Sequence, residues 1–485
     1  MKSNKWTFLA PIATLAMTLQ VQAYEQLIKN DPPKHHQYKL LQVSTFGGAS
    51  STFATGPDNF FENYFNGHGT TVGLADTNIA DPLAPFCFFA DCMVTKGFTF
   101  DVLGTLKDLG SLPGGNTSSV AYGLNNDGVA VGVSSTGQFD PTTGFPKTHA
   151  VIWIDGQIVD LGTLGGASSQ AFAVNNAGEV IGVSANSVPD TYSGAIGPCT
   201  GWSCWTVSTQ QRAFLWKDGT TRDLGTLGGP DAVAYYLNGA GQVAGVSYTN
   251  NTPNATTGNP TQDPFLWTRG TMVDLGGLGG TYGAVAGLNH RGEVAGFSNL
   301  AGDQTYHPFL WAAGTMTDLG TLGGDSGFAY ALGSTGDVVG QAQTAGNAAN
   351  HAFLWAAGTM TDLGTLASDP TGTSEAYAVN SKGQVVGYAN IDGTPAASAF
   401  LWEEGGPMVD LNALVENPPA SGLHLLYAYA ISNDGEILAI GLLPTGQEAV
   451  VMLVQDGLCG AKCEAQAGLV TGVTSPLTGG EGKGH

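Results

Sequence analysis

Three side chains of the kinds that enzymes use to move protons and stabilise charge stand out, namely His68, His149 and Arg212. Eliminative cleavage of a polysaccharide needs a base near the sugar C5 proton and a cation beside the carboxylate, and a histidine with an arginine would supply both. The chain holds four Arg in all, and the sequence contains no Gly-x-Ser-x-Gly, His-Glu-x-x-His, phosphate-loop or EF-hand motif. These residues therefore support a hypothesis of catalysis without assigning a reaction.

A second group of side chains is suited to binding, because aromatic rings stack on sugars and anchor protein partners. The rings lie outside the repeat described below, in long connections, and are Phe88, Tyr192, Trp202, Trp205 and Tyr248. The same rings could instead form small clusters that pack each connection onto the fold. Both interpretations stand at this point.

The elements that must position these residues are the short strands of an internal repeat. Each copy has a small-residue strand that ends in Asn, a turn that ends in Gly, and three further strands. Within residues 376–411, for example, the sequence predicts strands at 376–380, 384–388, 399–402 and 408–411. Asn and Gly tolerate the left-handed backbone that tight hairpins require, so the pattern predicts four-stranded antiparallel units.

The repeat occurs eight times, but its fourth strand follows only seven of the third strands. The missing copy lies at the N-terminal end, where Tyr38–Val43 precedes a Gly-Gly pair like those that link other units. A ring that completes its last sheet with an N-terminal strand would show this arrangement, and a period of about 50 residues suits four-stranded blades. We therefore predict an all-β fold, a β-propeller of about eight four-stranded blades, closed by an N-terminal strand that joins the last blade.

Two long motifs recur along the chain. Asp-Leu-Gly-Thr-Leu-Gly-Gly links lie at 160–166, 223–229 and 318–324, and the segment at 351–355 reads His-Ala-Phe-Leu-Trp. With these motifs the chain closely resembles the HAF family of bacterial extracellular repeat proteins, from about Tyr38 to Leu453. The resemblance implies export from a bacterium. It implies no reaction, because the family is defined by its repeat and not by an activity.

Residues that recur in every unit are expected to build the fold, because a catalytic constellation is needed only once. The Asp near the end of each fourth strand, such as Asp160 or Asp223, is therefore expected to accept hydrogen bonds from backbone N–H groups of the nearby turn. The position just before each third strand is expected to contribute to a polar ring on one face. That position holds Lys96, His149, Arg212, Asp263, His307, His351, Ser398 and Glu448.

The N-terminal residues 1–23 have the features of a signal peptide, with an apolar run from Phe8 to Leu19 and a small-residue site ending at Ala23. We therefore predict a secreted protein, extracellular or periplasmic. No later stretch approaches the roughly 18 apolar residues of a transmembrane helix, so no membrane span is expected. The net charge of −23 makes nucleic acid a poor partner, because its binding depends on neutralising phosphates.

Six cysteines fall into three close pairs, which in an exported chain predict three local disulfides. The pairs are Cys87/Cys92, Cys199/Cys204 and Cys459/Cys463. These spacings do not bring enough ligands together for zinc, so neither a metal nor a cofactor is expected. A disulfide in a protruding loop would hold a recognition surface in shape or protect the loop from proteolysis.

The predicted organisation is a signal peptide (1–23), an N-terminal lead (24–37), the eight-unit propeller (38–455) and a stapled C-terminal extension with a flexible tail (456–485). Two functions fit this organisation. The first is an extracellular binding or scaffold protein that holds a polysaccharide or a protein partner through its long, stapled loops. The alternative is a polysaccharide lyase or hydrolase with its site on the same face, which convergence of His149, Arg212 and a Tyr in one pocket would favour.

Overall fold

The computed structural model describes residues 35–53, 64–87, 91–113, 117–190, 192, 196, 208–255, 257–369, 371–391, 397–416, 421–457 and 463. The strands belong to the unit that runs from Gln37 to His485. The predicted signal peptide, most of the N-terminal lead and most of the C-terminal extension lie outside the described residues.

The first half of the described chain consists of strands joined by turns and loops. These strands are β1 (Tyr38–Gln42), β2 (Gly47–Phe53), β3 (Thr71–Ala80), β4 (Met93–Phe100), β5 (Leu106–Asp108), β6 (Ser119–Leu124), β7 (Ala130–Phe139), β8 (Pro146–Ile154), β9 (Gln157–Asp160), β10 (Gly165–Val174), β11 (Val180–Pro189), β12 (Thr209–Lys217), β13 (Thr220–Asp223), β14 (Ala232–Leu237), β15 (Val243–Tyr248), β16 (Gln262–Thr268) and β17 (Thr271–Asp274).

The second half continues in the same way, with short 3-10 turns at Ala345–Asn347 and Leu411–Leu414. Its strands are β18 (Gly279–Leu288), β19 (Val294–Leu300), β20 (Tyr306–Ala312), β21 (Thr315–Asp318), β22 (Gly323–Leu332), β23 (Val338–Thr344), β24 (Asn350–Ala356), β25 (Thr359–Asp362), β26 (Ser374–Val379), β27 (Val385–Asn390), β28 (Ala397–Trp402), β29 (Val409–Asp410), β30 (His424–Ile431), β31 (Ile437–Leu442) and β32 (Glu448–Gln455). The prediction of an all-β chain is confirmed for the described residues.

The strands pair in chain order into four-stranded antiparallel groups. We number these groups as units, from unit 1 (β2–β5) and unit 2 (β6–β9) through to unit 7 (β26–β29), with β30–β32 and β1 forming unit 8. Single parallel pairs, Ser168 with Thr148 and Gln262 with Tyr282, join units 2 and 3 and units 4 and 5 into eight-stranded sheets. The described sheets thus contain four or eight strands, and each remains open at its edges.

The N-terminal strand β1 completes unit 8. It runs antiparallel to β32, with Tyr38 opposite Gln455 and Gln42 opposite Val451. The backbone N–H of Asp456 also donates to the carbonyl of Gln37, at 2.8 Å. This is the pairing that the missing fourth strand predicted.

The recurring Gly of the second strand and the Phe of the third strand are a matched pair. Gly245 lies opposite Phe265, whose side chain is fully buried. A Cβ atom on Gly245 would lie 2.8 Å from Cζ of that ring and 2.0 Å from the carbonyl oxygen of Val233. Only glycine therefore fits under the ring. The same pairing recurs as Gly73/Phe98, Gly182/Phe214, Gly296/Phe309, Gly340/Phe353 and Gly387/Phe400.

The Asn that follows the first strand links consecutive units. Oδ1 of Asn238 accepts from the backbone N–H groups of Ala240 and Gln242 within its own turn, at 3.0 and 3.1 Å. Its Nδ2 donates to the carbonyl of Asn289 in the next unit, at 3.0 Å. Equivalent bonds between units join Asn66 to Asn125, Asn125 to Asn175, Asn175 to Asn238 and Asn380 to Ser432. We call this series the Asn ladder.

The Asn ladder defines two sides of the molecule. The turns between first and second strands lie along it, and we call this the turn side. The connections between second and third strands, and the links between units, lie at the opposite ends of the strands, on what we call the loop side. The sequence pattern predicts long connections between the second and third strands at residues 74–96, 134–148 and 184–212.

These loops are shorter in the structure than the sequence predicted. Strand pairing resumes beyond a register shift and extends each hairpin outwards. The outermost pairs are Ala80 with Met93, Phe139 with Pro146, and Pro189 with Thr209. The sequence pattern does not predict these outer strand pairs, because a bulge breaks the alternation of buried and exposed residues.

The Leu41→Ala variant should lose much of the stability that β1 provides. Leu41 is fully buried and pairs with Met452, so its truncation leaves a cavity between β1 and β32. We expect a loss of about 3 kcal/mol in the free energy of unfolding, measured by urea titration.

The matched control is Lys39→Ala on the same strand. Its ion pairs with Glu416 and Asp456, at 3.9 and 3.6 Å, involve exposed carboxylates and contribute less than about 1 kcal/mol. Equal losses for the two variants would mean that β1 adds nothing through its buried face.

Candidate functional site

The Asp of each fourth strand is a fixed part of the loop side. Asp160 Oδ1 accepts from the backbone N–H of Gly162, at 2.7 Å. The same bond to a nearby turn is made by Asp108, Asp223, Asp274, Asp318, Asp362 and Asp410. The predicted role of these carboxylates as acceptors for turn N–H groups is therefore confirmed.

The residue before the third strand bonds to this Asp in most units. His149 Nδ1 lies 2.8 Å from Asp160, and Arg212 Nε lies 3.1 Å from Asp223. The further pairs are His307/Asp318 and His351/Asp362, both at 2.9 Å, and Ser398/Asp410 at 2.8 Å. Burial raises the pKa of Asp160, but hydrogen bonds from His149 and Gly162 outweigh that effect and leave the pKa below its usual range.

The three candidate catalytic residues lie in different parts of the structure. His149 and Arg212 belong to different units, and each bonds to its own aspartate. His68 is exposed in the turn after Asn66, whose Oδ1 accepts its backbone N–H, and therefore lies on the turn side. The structure thus does not bring the three together in one pocket.

Arg212 does share a neighbourhood with two of the predicted aromatic residues. Tyr192 and Tyr248 make an edge contact with ring centroids 6.4 Å apart, close to Asp231. Asp231 is fully buried and accepts from the backbone N–H of Gln211, at 2.7 Å. Burial, the largest effect, together with nearby Asp190, raises the pKa of Asp231 to about 7.

This neighbourhood fits packing better than binding. The side chain of Tyr248 is 1% exposed, so its ring is buried. Tyr192 therefore packs against a buried ring of unit 4. Phe88, Trp202 and Trp205 lie outside the described residues.

One predicted disulfide lies in the described part of the loop side. Cys87 is bonded to Cys92 in the connection between β3 and β4. The neighbouring Phe86 packs on Phe139 and Phe145 of unit 2, with ring centroids 6.4 and 5.2 Å apart. The disulfide thus stabilises a loop that rests on the next unit.

The other predicted cysteine pairs lie wholly or partly outside the described residues. Cys199, Cys204 and Cys459 are among the residues not described. Cys463 is buried and disulfide-bonded.

Unit 4 departs from the pairing of a basic or hydroxyl side chain with aspartate. Its third strand carries Asp263, which lies near enough to Asp274 for the two carboxylates to repel each other. Burial, followed by repulsion from Asp274, raises the pKa of Asp263 to about 6. The repulsion between these two carboxylates therefore destabilises unit 4 when both are ionised.

Sequence reasoning missed a band of aromatic side chains on the loop side of units 5 and 6. We define the aromatic arc as Tyr282, Phe297, Tyr306 and Phe328. Ring centroids lie 6.1 Å apart for Tyr282 and Phe297, 4.8 Å for Phe297 and Phe328, and 4.0 Å for Tyr306 and Phe328. Tyr282 is 37% exposed and the other three rings are partly exposed. The arc is a continuous surface suited to stacking.

The aromatic arc continues into a group of tyrosines around one carboxylate. We define the tyrosine cluster as Tyr330, Tyr377, Tyr388, Tyr427 and Tyr429. Glu375 accepts hydrogen bonds from the hydroxyls of Tyr377 and Tyr388, both at 3.0 Å. Burial raises the pKa of Glu375, and the tyrosine hydrogen bonds partly offset this effect.

The signal for the tyrosine cluster was present in the sequence. The first strands of units 6, 7 and 8 read Phe-Ala-Tyr-Ala, Glu-Ala-Tyr-Ala and Tyr-Ala-Tyr-Ala. Every second residue is large, and such residues share one face of a strand. Aligning the repeats at this position would have shown Glu375 as a charged residue among aromatic ones.

The described residues show no group of three or more His, Cys, Asp or Glu arranged to hold a metal ion. Within the same residues, no helix has the length and apolar character needed to cross a bilayer.

The comparisons with known proteins concern the fold. No family model matches the chain, and no curated protein matches it. Among solved structures, the β-propeller domain of the Trilobed protease from Pyrococcus furiosus is 8% identical, with a TM-score of 0.39, covering 70% of this chain and 96% of that one.

Two further solved structures are enzymes. Dipeptidyl peptidase 4 from Porphyromonas gingivalis is 12% identical, with a TM-score of 0.39 and 72% of this chain covered. The sialidase from Trypanosoma rangeli is 11% identical, with a TM-score of 0.28 and 74% covered. The chain spans 53% of the peptidase and 57% of the sialidase. Neither a site nor an activity transfers at this level of likeness.

The Asp263→Asn variant should be more stable than the parent protein at neutral pH. The folded-state pKa of about 6 lies above the ordinary value of 3.8, so an ionised Asp263 destabilises the fold above pH 6. That penalty disappears as the pH falls through 6 towards 3.8. We expect a gain of about 1 kcal/mol at pH 7.5, reduced from the full shift because the group is partly exposed, and almost none at pH 4.

The matched control is Asp318→Asn in unit 5. Its partner is His307, so the substitution removes a favourable bond and should lower stability. Thermal unfolding of both variants at pH 7.5 and pH 4 checks the sign. A destabilised Asp263→Asn protein at pH 7.5 would contradict the carboxylate repulsion.

Proposed function

We propose that this chain is a secreted HAF-repeat protein that folds as a closed eight-bladed β-propeller and acts as an extracellular binding or scaffold protein. Its ligand would be a polysaccharide or a protein partner held on the loop side. The observation that carries this proposal is the contrast between the two kinds of candidate residue. Acid–base side chains are held in pairs that recur from unit to unit, whereas aromatic rings form one partly exposed surface.

Contacts between the first and last units support a closed ring. The hydroxyl of Tyr64 in the segment between β2 and β3 donates to the carbonyl of Tyr429 in unit 8, at 3.1 Å. The buried side chains of Phe53 and Met452 belong to the same apolar core. Together with the pairing of β1 and β32, these contacts support the proposed closure of the ring.

The position of the basic residues argues against a catalytic role for them. A His–Asp pair can orient a catalytic imidazole and leave its Nε2 free, but a catalytic constellation is needed only once. His149, His307 and His351 all use Nδ1 to hold the aspartate of their own unit. Because the arrangement is the same each time, it is explained by the stability of the loop side.

The aromatic arc supplies the proposed binding surface. Sugar rings and apolar side chains both stack on exposed aromatic faces, and such contacts carry much of the energy of an interface. The predicted binding residues Phe88, Trp202 and Trp205 extend this proposal, because in the sequence they fall between β3 and β4 and between β11 and β12. The lyase or hydrolase alternative would need a convergent acid–base group, which the pairs described above do not form.

A double variant of the arc, Tyr282→Ala with Tyr306→Ala, should lose ligand retention. The parent protein is first passed over immobilised xylan, amylose, pectin and peptidoglycan, and retention is measured on each. On the retaining polymer we expect roughly tenfold weaker binding of the variant, because two stacking faces are gone. Trp202→Ala with Trp205→Ala tests the loop residues in the same assay.

The matched control is Val273→Ala, an exposed apolar side chain on the fourth strand of unit 4 that is 41% exposed and outside the arc. Its retention should equal that of the parent protein. Retention unchanged in the arc variant would remove the arc from the proposal. New reducing ends or unsaturated sugars in the flow-through would replace it with the enzyme alternative.

A further inference from the structure

The first strands of units 6, 7 and 8 bring three equivalent tyrosines together. Tyr330, Tyr377 and Tyr429 each occupy the third position before the residue that enters the Asn turn. The rings of Tyr377 and Tyr429 are stacked, with centroids 5.2 Å apart and planes 8° apart. The ring of Tyr330 lies 5.6 Å from that of Tyr377. Each ring is partly exposed, so this wall of aromatic faces is accessible.

A cavity of about 210 Å³ is built against this wall. Tyr377 and Tyr429 line it together with Tyr64, and Asn380 and Asn433 belong to its polar part. The cavity lies at the turn side, where those Asn residues are found. Its volume is below the roughly 300–1,000 Å³ of sites for drug-sized molecules, so it suits a small ligand or the end of a side chain.

The cavity coincides with an interruption of the Asn ladder. Gly333 stands at the ladder position of unit 6 and has no side chain to donate. In unit 8 the position holds Ser432, whose hydroxyl bonds to Glu436. The two breaks lie on either side of Asn380. The opening therefore lies where units 6 and 8 depart from the Asn of the repeat.

Glu375 lies outside the cavity lining, but its carboxylate is bonded to the hydroxyl of Tyr377, which belongs to the lining. Its two carboxylate oxygens accept from the hydroxyls of Tyr377 and Tyr388, and no Lys, Arg or His of the described residues forms an ion pair with it. A phenol that donates to a carboxylate becomes more electron-rich, which strengthens the attraction of its ring face for cations. The net charge of the chain, −23, acts in the same direction.

We propose that this cavity binds a small organic cation, a quaternary or methylated ammonium group, seated against Tyr377 and Tyr429. Glu375, bonded to the hydroxyl of Tyr377 outside the lining, supplies the negative charge behind the rings. Aromatic faces attract such groups electrostatically while their methyl groups pack on apolar surface. A hydrated metal ion would gain little from these rings. The site lies on the turn side and does not depend on the polymer surface proposed for the loop side.

The test uses choline and its uncharged analogue 3,3-dimethyl-1-butanol, which has nearly the same shape. Both are titrated calorimetrically into the full chain. Choline should bind, and the alcohol should bind about tenfold more weakly, because it lacks the charge. Absence of choline binding, or equal binding of the two compounds, would overturn the proposal.

Two variants distinguish the contribution of the Glu375 charge to choline binding from that of the tyrosine rings. Glu375→Gln keeps the hydrogen-bonding shape and should reduce choline affinity to that of the alcohol, while affinity for the alcohol stays unchanged. Tyr429→Leu keeps apolar volume and should weaken choline binding about tenfold. Circular dichroism of each variant verifies the fold before titration.

The matched control is Asp369→Asn, which removes one exposed acidic charge whose side-chain bonds are to Thr371 and not to a tyrosine of the cavity. Its choline affinity should equal that of the parent protein. If Glu375→Gln binds choline as the parent does, the counter-charge assignment is wrong. If Asp369→Asn weakens binding as much as Glu375→Gln, the attraction comes from net charge and the site is overturned.

Discussion

The side chain of one asparagine per turn controls how the units meet. Its oxygen closes its own turn, and its amide nitrogen reaches the carbonyl of the next turn at about the same distance each time, 3.1 Å from Asn66 to Asn125 and 3.0 Å from Asn238 to Asn289. One side chain thus sets both local and long-range geometry. Gly333 and Ser432 interrupt this series, and the cavity lies beside them. There the hydroxyl of Tyr64 donates a hydrogen bond to the carbonyl of Tyr429.

Much of the fold could be predicted because the sequence repeats it. A strand, a turn Asn or a terminal Asp seen in several copies is a structural rule, and the hydrogen bonds of Asp160 and Asp223 follow that rule. The pairing of β1 followed from counting fourth strands. Features that occur in one unit only were harder to predict. The outer pairing of Pro189 with Thr209, for example, lies beyond a register shift in a connection whose length is unique to its unit.

The candidate sites were harder to predict because the type of a residue does not reveal which side chains it will contact in the fold. His149 and Arg212 have chemically useful side chains, yet each lies within reach of an aspartate that precedes a turn. Glu375 was missed for the opposite reason. It occupies a strand otherwise made of small and aromatic residues, so the segment looks like core, and only the paired tyrosine hydroxyls distinguish it.

The completion of unit 8 by β1 also constrains the order of folding. Tyr38 leaves the ribosome early, whereas its partner Gln455 is made after almost the whole repeat. Contacts so distant in sequence are slow to form, because a very long loop must close. Neighbouring units can fold as they emerge from the ribosome, but β1 can pair with β32 only after β32 has been made. The edge of β1 therefore stays unpaired until β32 has been made, and until then it can pair with other exposed strands.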